Sequence, residues 1–535
     1  MPESHPPWPS SSVGSSSWCM RGGTRRSWRR NLSRRRSRSG TEFAKPTAMT
    51  WTSHRMLCLC SCLTACHHAA ERYWLMITRV EVGGFKNLDQ VDLPLQPFQA
   101  IAGRNAAGKS NLFDALGLLS KLAEKDLSTA FASLRGEPGE LFSQAPDGSP
   151  GSRIRFAVEL LVEPTTRDQW GKEAELSSTR LRYELTISRR RDESGADDLR
   201  IERESMYPIQ KTQDTARFPR KLRNLARYAT RREHFISTDS DERKIALHQD
   251  GRAGRKQEFH PGEMRGTVLS GVTSTAFRHT FAVREELKRW TFLQLSPEEL
   301  RKPSAFLSPT SLGHNGSNLA SSLARSFRTT PGALERLGSE LALLVPRVDE
   351  VRVDEDIARQ VYTVVVRFRD GREFSSRVLS DGTLRLVALL TLAIDPQHRG
   401  VVCLEEPENG VHPSALPDMV RLLRRLAVQD AHLTESGLRQ ILFNTHSPAL
   451  VKLLKPEEII FCVLTQHVDP ESKTIAQRSH FLPVHEGDLQ LAVPSITRSV
   501  AEGITKNELR QFLEDGGIPQ ALGRSVAETT GGHAL

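Results

Sequence analysis

Gly103 and Gly108 lie five positions apart, and Lys109 and Ser110 follow the second glycine. The stretch Gly103-Arg104-Asn105-Ala106-Ala107-Gly108-Lys109-Ser110 therefore reads G-x-x-x-x-G-K-S. Glycines at that spacing let a loop curl until its backbone N–H groups face one anion, and a helix starting at the loop adds partial positive charge. A lysine at the seventh position reaches β- and γ-phosphates, and the adjoining serine hydroxyl ligates Mg²⁺. The loop, with Asn111 just behind it, thus implies a bound nucleoside triphosphate with Mg²⁺. A second group of chemical residues lies about 300 positions on. The apolar run 400–404 (GVVCL) ends in Glu405 and Glu406. A buried strand ending in two carboxylates suits a metal-dependent hydrolysis: Glu405 would hold Mg²⁺, and Glu406 would orient or deprotonate the attacking water.

Both groups need strands that end at them. Phe98 to Ala102 (FQAIA) is apolar enough for a buried strand feeding the glycine loop, and 111–119 places apolar residues at helical spacing after it. Before it, 77–82 and 90–95 read as strands. Downstream, 361–369, the Asp370-Gly371 turn and 372–378 read as a hairpin. A helix follows through 384–393, then strand 400–404, helix 415–426 and strand 440–444 (QILFN), which ends in Thr445-His446-Ser447-Pro448. Strands alternating with helices imply an α/β fold with a mostly parallel sheet flanked by helices, and ligands belong at the strand C-termini, where these motifs fall.

A chain of 535 residues with 38% hydrophobic and 26% charged residues allows two or three domains of ordinary composition. The formal charge of +10 is concentrated: residues 1–75 carry 12 bases against three acids, so the rest is within one charge of neutral. The global charge therefore says little about partners. Five of the seven cysteines and five of the seven tryptophans also lie in 1–75. A transit peptide, a signal-like or lipid-attachment run at 56–66 and a Cys/His metal cluster are competing readings of this segment. The cysteine spacing matches no zinc pattern, and the adopted reading is an extension ahead of a natural start at Met76, disordered if translated. The two remaining thiols, Cys403 and Cys462, lie in apolar runs and point to a reducing, cytoplasmic setting. No apolar stretch reaches 18 residues, so no membrane partner is expected.

The stretch "ITRVEVGGFKNLDQVDLPL…AIAGRNAAGKSNLFDAL" resembles the N-terminal lobe of ABC-type P-loop ATPases of the SMC/RecF/OLD class. The resemblance covers 76–123 and 346–466. It implies an N-terminal ATPase lobe (76–123), an α+β insertion (124–345), a C-terminal lobe (346–466) and a tail (467–535). It gives His446 the role of a switch histidine at the γ-phosphate, and puts Asn409 and His412 in the loop that packs on an opposing subunit. Leu379-Ser380-Asp381-Gly382 is similar to the LSGG signature, in which Ser380 and Gly382 would cap the nucleotide of a second copy. Asp381 and Glu405 depart from the usual Gly and Asp. Gln144 is the candidate for the family's glutamine loop. The implied cycle is ATP-driven homodimerisation through the nucleotide sites, with Lys109, Glu406 and His446 catalytic.

The insertion reads as strands at 153–162 and 181–187 and helices at 284–293 and 318–327, without heptads for a coiled-coil arm. Its segment 211–232 holds eight bases and one acid; on a helix, Arg220, Arg223, Arg227 and Arg231 would share one face, either a DNA-backbone stripe or a solvated face. The tail reads as a strand near 474–483 and a helix near 505–514. Partners implied by the class are DNA and an effector nuclease or toxin, in repair or anti-phage defence. A nuclease in the same chain would need a Glu and a D-x-D pair, and no D-x-D follows His446. The remaining alternative is a scaffold in which ATP acts as a switch with little turnover.

Overall fold

The computed structural model describes residues 76–144, 149, 151–191, 197–216, 226–229, 234–239, 241, 243–250, 256–395, 400–428, 439–468, 475–485, 504–505, 509 and 514. The segment 1–75 and its cysteines lie outside the described residues, as does the expected helix at 505–514 save for isolated positions. Among the described residues, no helix is long and apolar enough to cross a membrane.

The fold is mixed α/β. The phosphate-loop strand Phe98–Ala102 is buried along its whole length. It lies inside a seven-stranded sheet, parallel to Arg439–Thr445 on one side and to Ile459–Val468 on the other. Gly400–Glu405 runs parallel beside Arg439–Thr445, and Thr291–Leu293 runs parallel beside Gly400–Glu405 at the edge. Beyond Ile459–Val468 come Ile475–His485, antiparallel, and Ile504–Thr505.

Successive side chains of a strand face opposite sides of its sheet. In the central strands both faces are apolar, so each strand feeds two cores. Ile101, Val401, Cys403, Leu442, Ile460 and Cys462 face one, together with helix Lys109–Leu122. Phe98, Ala100, Ala102, Val402, Leu404, Ile441, Phe443, Ile459 and Phe461 face the other, together with helices Asp381–Ile394 and Leu416–Val428. Burial on both faces explains why these runs read as continuous apolar stretches instead of alternating ones.

The first core is closed by an eight-stranded antiparallel sheet. It joins Met76–Gly83 and Val91–Pro94 to Arg153–Leu161, Arg180–Arg191, Asp197–Pro208, Ile236–Asp239, Lys244–His248 and Lys256–Phe259. This sheet runs across position 123, where the sequence reading divides the first lobe from the insertion. A smaller sheet of Ser304–Ala305, Val348–Asp356, Val361–Phe368 and Glu373–Ser375 leads into the signature segment, with Gly371 at φ 80° in the expected hairpin turn.

Two expectations are corrected. The helix read at 284–293 is Arg278–Lys288 and stops before Thr291–Leu293, which pairs with Val402–Leu404. A β-branched and aromatic run gains more as an edge strand of the sheet than as one more helical turn. The helical face read across 211–232 fails at its described positions. Residues 211–216 and 226–229 carry no helix, and Arg227 instead pairs with Glu175 at 2.6 Å while its backbone N–H donates to Thr179 Oγ1 at 2.8 Å. Arg220, Arg223 and Arg231 lie outside the described residues.

Candidate functional site

Helix Lys109–Leu122 begins directly from the glycine loop. Its N-cap, Gly108, has φ 98°, no side chain caps it, and no acid occupies its first turn. The first N–H groups of the helix therefore remain available to an anion at the loop. Gly108 has no room for a side chain: a Cβ there would lie 2.1 Å from Ser479 Oγ and 2.8 Å from Asn87 Nδ2. Gly103 is equally confined, since its Cβ would lie 2.2 Å from the Cys462 carbonyl oxygen. Ala106 takes φ 63° within the loop. The underside is held by Ser479 Oγ, which donates to the Ala107 carbonyl at 2.6 Å, and by Cys462 Sγ at 3.2 Å from the same oxygen. Asn111 Nδ2 donates to Asn87 Oδ1 at 2.7 Å.

Lys109 spans the loop it belongs to, donating to the carbonyls of Gly103 at 2.8 Å and Arg104 at 2.7 Å. Burial lowers its pKa, and the nearby Cys462, Glu406, Glu408 and Glu405 oppose that shift. The sheet brings Ser110 to the acids: Ser110 Oγ donates to Glu405 Oε2 at 3.3 Å and accepts from Asn444 Nδ2 at 3.3 Å. A hydroxyl and a carboxylate, both hard oxygens with room left for water and phosphate, fit Mg²⁺. Burial pushes the Glu405 carboxyl up, while Arg135 and the Ser110 hydrogen bond pull it down.

Glu406 follows the strand end with φ 44°, a left-handed value that costs a non-glycine residue about 1–3 kcal/mol and persists only where the surroundings fix it. They do. Its N–H donates to Asn444 Oδ1 at 2.8 Å, its Oε1 is 2.9 Å from His446 Nδ1, and its Oε2 accepts from Asn409 Nδ2 at 2.7 Å. Glu406 and His446 both keep part of their side chains in solvent, at 30% and 39% exposure. A half-exposed carboxylate oriented by a histidine and an amide is suited to accept a proton from water.

Ser380 caps helix Asp381–Ile394, with Oγ accepting from Thr383 N at 3.3 Å. Gly382 packs on the turn after Glu406, where a Cβ would meet the Gly410 carbonyl at 2.4 Å. Asp381 is paired with Arg301, which also donates to the Leu379 carbonyl at 3.2 Å. From the same helix Arg385, 9% exposed and lowered in pKa by burial, lines a cavity of about 350 Å³ with Glu405, Glu406, Asn409, Gln294, Ser296 and Asn315.

That cavity also holds a glutamine other than the expected Gln144. Gln144 is exposed, whereas Gln294 directly follows the edge strand Thr291–Leu293 and lines the cavity beside both acids. Arg135 holds it, donating to Gln294 Oε1 at 2.7 Å. The signal was present as an apolar run ending in a polar residue, as at Glu405, but was absorbed into the expected helix. Asn87, Asn444 and Ser479 were also missed, because each acts across 24 or more positions and belongs to no local pattern.

Residues 98–452 match the family model described as "AAA domain, putative AbiEii toxin, Type IV TA system". The chain is 23% identical over 386 residues to the "OLD nuclease" of Thermus scotoductus (strain ATCC 700910 / SA-01), covering 70% of this chain and 59% of that protein. The chain thus spans less than two thirds of that relative's length. Among solved structures, the Smc head bound to the C-winged helix domain of ScpA is 14% identical, covers 76% of this chain and 98% of its own, and has a TM-score of 0.42. A Pyrococcus furiosus Smc head with an extended coiled coil, bound to the C-terminal domain of ScpA, is 12% identical, with coverages of 76% and 96% and a TM-score of 0.43. The SMC head of Thermotoga maritima is 12% identical, with coverages of 77% and 100% and a TM-score of 0.33. With a matched region of that extent around this site, the chain belongs to the AAA-domain family so described.

Proposed function

We propose that the chain binds ATP with Mg²⁺ at Gly103–Ser110 and hydrolyses it through Glu406. One observation carries this reading. Asn444 bonds both Ser110 and the Glu406 backbone, so the phosphate loop, the metal-binding oxygens and the Glu406–His446 pair form one connected unit. Lys109 and the first N–H groups of its helix hold the phosphates, and Ser110 and Glu405 hold the metal. Bound Mg²⁺ neutralises phosphate charge and orients the γ-phosphoryl group. Glu406 takes the proton of the attacking water, while His446 and Asn409 keep its carboxylate aimed.

The proposal extends to two copies meeting head to tail, with Ser380 and Gly382 of each facing the nucleotide of the other. Turnover would then be coupled to DNA or to a partner effector in repair or anti-phage defence, in the cytoplasm. The domain division at 123, 345 and 466 is part of the same proposal. A second reading, an ATPase that serves a nuclease in the same or a partner protein, is favoured by the relative named OLD nuclease.

The test is ATP turnover by the full chain beside Glu406→Gln, with and without double-stranded DNA and with cleavage of that DNA followed. Loss of turnover in the variant with ATP binding retained is expected. Equal turnover in both would refute the role given to Glu406. ATP-dependent DNA cleavage would select the second reading.

A further inference from the structure

The strand Arg439–Thr445 and the residues after it bolt the site together one residue at a time. Asn444 reaches Ser110 and Glu406, and His446 reaches Glu406. Thr445 looks the other way. Its Oγ1 donates to Glu408 Oε1 at 2.5 Å and accepts from Ser447 N at 3.0 Å, and its carbonyl accepts from Gly103 N at 3.1 Å. Because the Ser447 N–H can only donate, the Thr445 hydroxyl proton is directed to Glu408.

Glu408 is 7% exposed, and its Oε2 has no hydrogen-bond partner among the described residues. Burial pushes its carboxyl up. A buried carboxyl with one oxygen unsatisfied is a costly choice for filling space, where an apolar side chain would serve better. It sits two positions beyond Glu406, in the turn that packs on Gly382.

We propose that Glu408 is a positioning residue for hydrolysis: acting through Thr445, it fixes the Glu406 turn relative to both the first amide of the phosphate loop and the histidine that aims Glu406. The proposal rests on the ATPase reading above. Glu408 does not act on water or phosphate itself. Its carboxyl holds the Thr445 hydroxyl in one rotamer, which holds the Ser447 amide and so the His446 backbone between them. Released, His446 shifts relative to Glu406 while the phosphate loop keeps its own contacts from Ser479, Cys462 and Asn87. The signature of this role is therefore a loss in turnover with little loss in nucleotide binding.

The experiment measures kcat and KM for Mg·ATP, with binding of a fluorescent ATP analogue, on the full chain and five variants. Glu408→Ala and Thr445→Val should each lower kcat on the order of 10²-fold, the cost of about 1 Å of misplacement at a reacting group, with KM and analogue affinity within about threefold. Glu408→Gln, whose amide oxygen still accepts from Thr445, should recover most of the rate. The double variant should be no slower than either single one, since both break the same link. Thr445→Val keeps bulk and burial, so it decides the matter if Glu408→Ala does not fold. Glu406→Gln separates the two levels of the argument. If it abolishes turnover while Glu408→Ala and Thr445→Val keep parental kcat, only this inference falls. If it leaves turnover unchanged, or the parent has none, the ATPase reading falls and this inference with it. A fall in affinity equal to the fall in kcat would make Glu408 a structural prop and overturn the positioning role.

Discussion

Gly108→Ala should disable the phosphate loop for two separable reasons. The backbone at 108 has φ 98°, which an L side chain adopts at a cost of about 1–2 kcal/mol. The added methyl would also sit 2.1 Å from Ser479 Oγ, more than 1 Å inside contact, and such overpacking costs about 1–3 kcal/mol. Together they amount to ~3 kcal/mol, less whatever the Ser479 hydroxyl and the Asn87 amide recover by rotating away. Ser479→Ala removes the obstructing oxygen and its bond to the Ala107 carbonyl but leaves φ untouched. The double variant should then regain the part of the steric cost due to Ser479, a coupling of about 1–2 kcal/mol, and retain the backbone part and the contact with Asn87. Chemical denaturation of the four proteins in the cycle gives the stabilities, and fluorescent ATP-analogue binding shows whether the loop geometry returns with them. A Gly108→Ala variant as stable as the parent would refute the reasoning. So would a double variant whose losses are simply additive, because that would remove Ser479 as the obstacle.

Two further outcomes concern the antiparallel sheet. Glu204 is fully buried, accepts from Val268 N at 2.7 Å, Leu269 N at 2.9 Å and Tyr183 OH at 3.0 Å, and is raised by burial from 4.5 to about 7. The folded form therefore binds the proton more tightly than the unfolded one. Its contribution is complete below pH 4.5 and is lost as pH rises to about 7, by at most about 3 kcal/mol. Urea titrations from pH 5 to 7 should show the Glu204→Gln protein with a flatter stability profile than the parent, and parallel profiles would exclude Glu204 as the cause. Arg180, fully buried, makes two 2.8 Å bonds to Asp214, whose side chain is 3% exposed. Arg180→Met leaves that carboxylate with only the Tyr228 hydroxyl and the Ala216 N–H and no compensating charge from Arg180, and should cost about 3–5 kcal/mol. Arg180→Met with Asp214→Leu should recover much of it, and no recovery would show that the cost lies in lost packing.

What could be read in advance was whatever is contiguous. The glycine loop, the strand ending at Glu405 and the strand ending at His446 each announce themselves over a few residues, because a buried parallel strand must be apolar and must stop where the ligand begins. Their partners cannot be read that way. Asn444 sits inside an apolar strand and looks like a flaw in it, yet it joins Ser110, 334 positions earlier, to Glu406. Ser479 supports a loop 372 positions away. Gln294 was lost because local periodicity favoured a helix where the sheet offered an edge. The insertion's strands at 153–162 and 181–187 were visible, but their continuation of the sheet begun by Met76–Gly83 is a matter of pairing, which no single strand encodes.

The place of Phe98–Ala102 between Arg439–Thr445 and Ile459–Val468 also sets a timetable. The nucleotide loop leaves the ribosome early, but both strands that flank it arrive more than 330 residues later. At about 5–20 residues per second, the loop waits roughly 20–70 s before its sheet can close. Such distant pairing makes for slow folding, since the entropy of a long intervening loop must be overcome before any contact repays it. A nascent chain ending before residue 439 carries the glycine motif without the strand bearing Asn444 or the His446 that follows it, so Ser110, Glu406 and His446 come together only after that strand has been made.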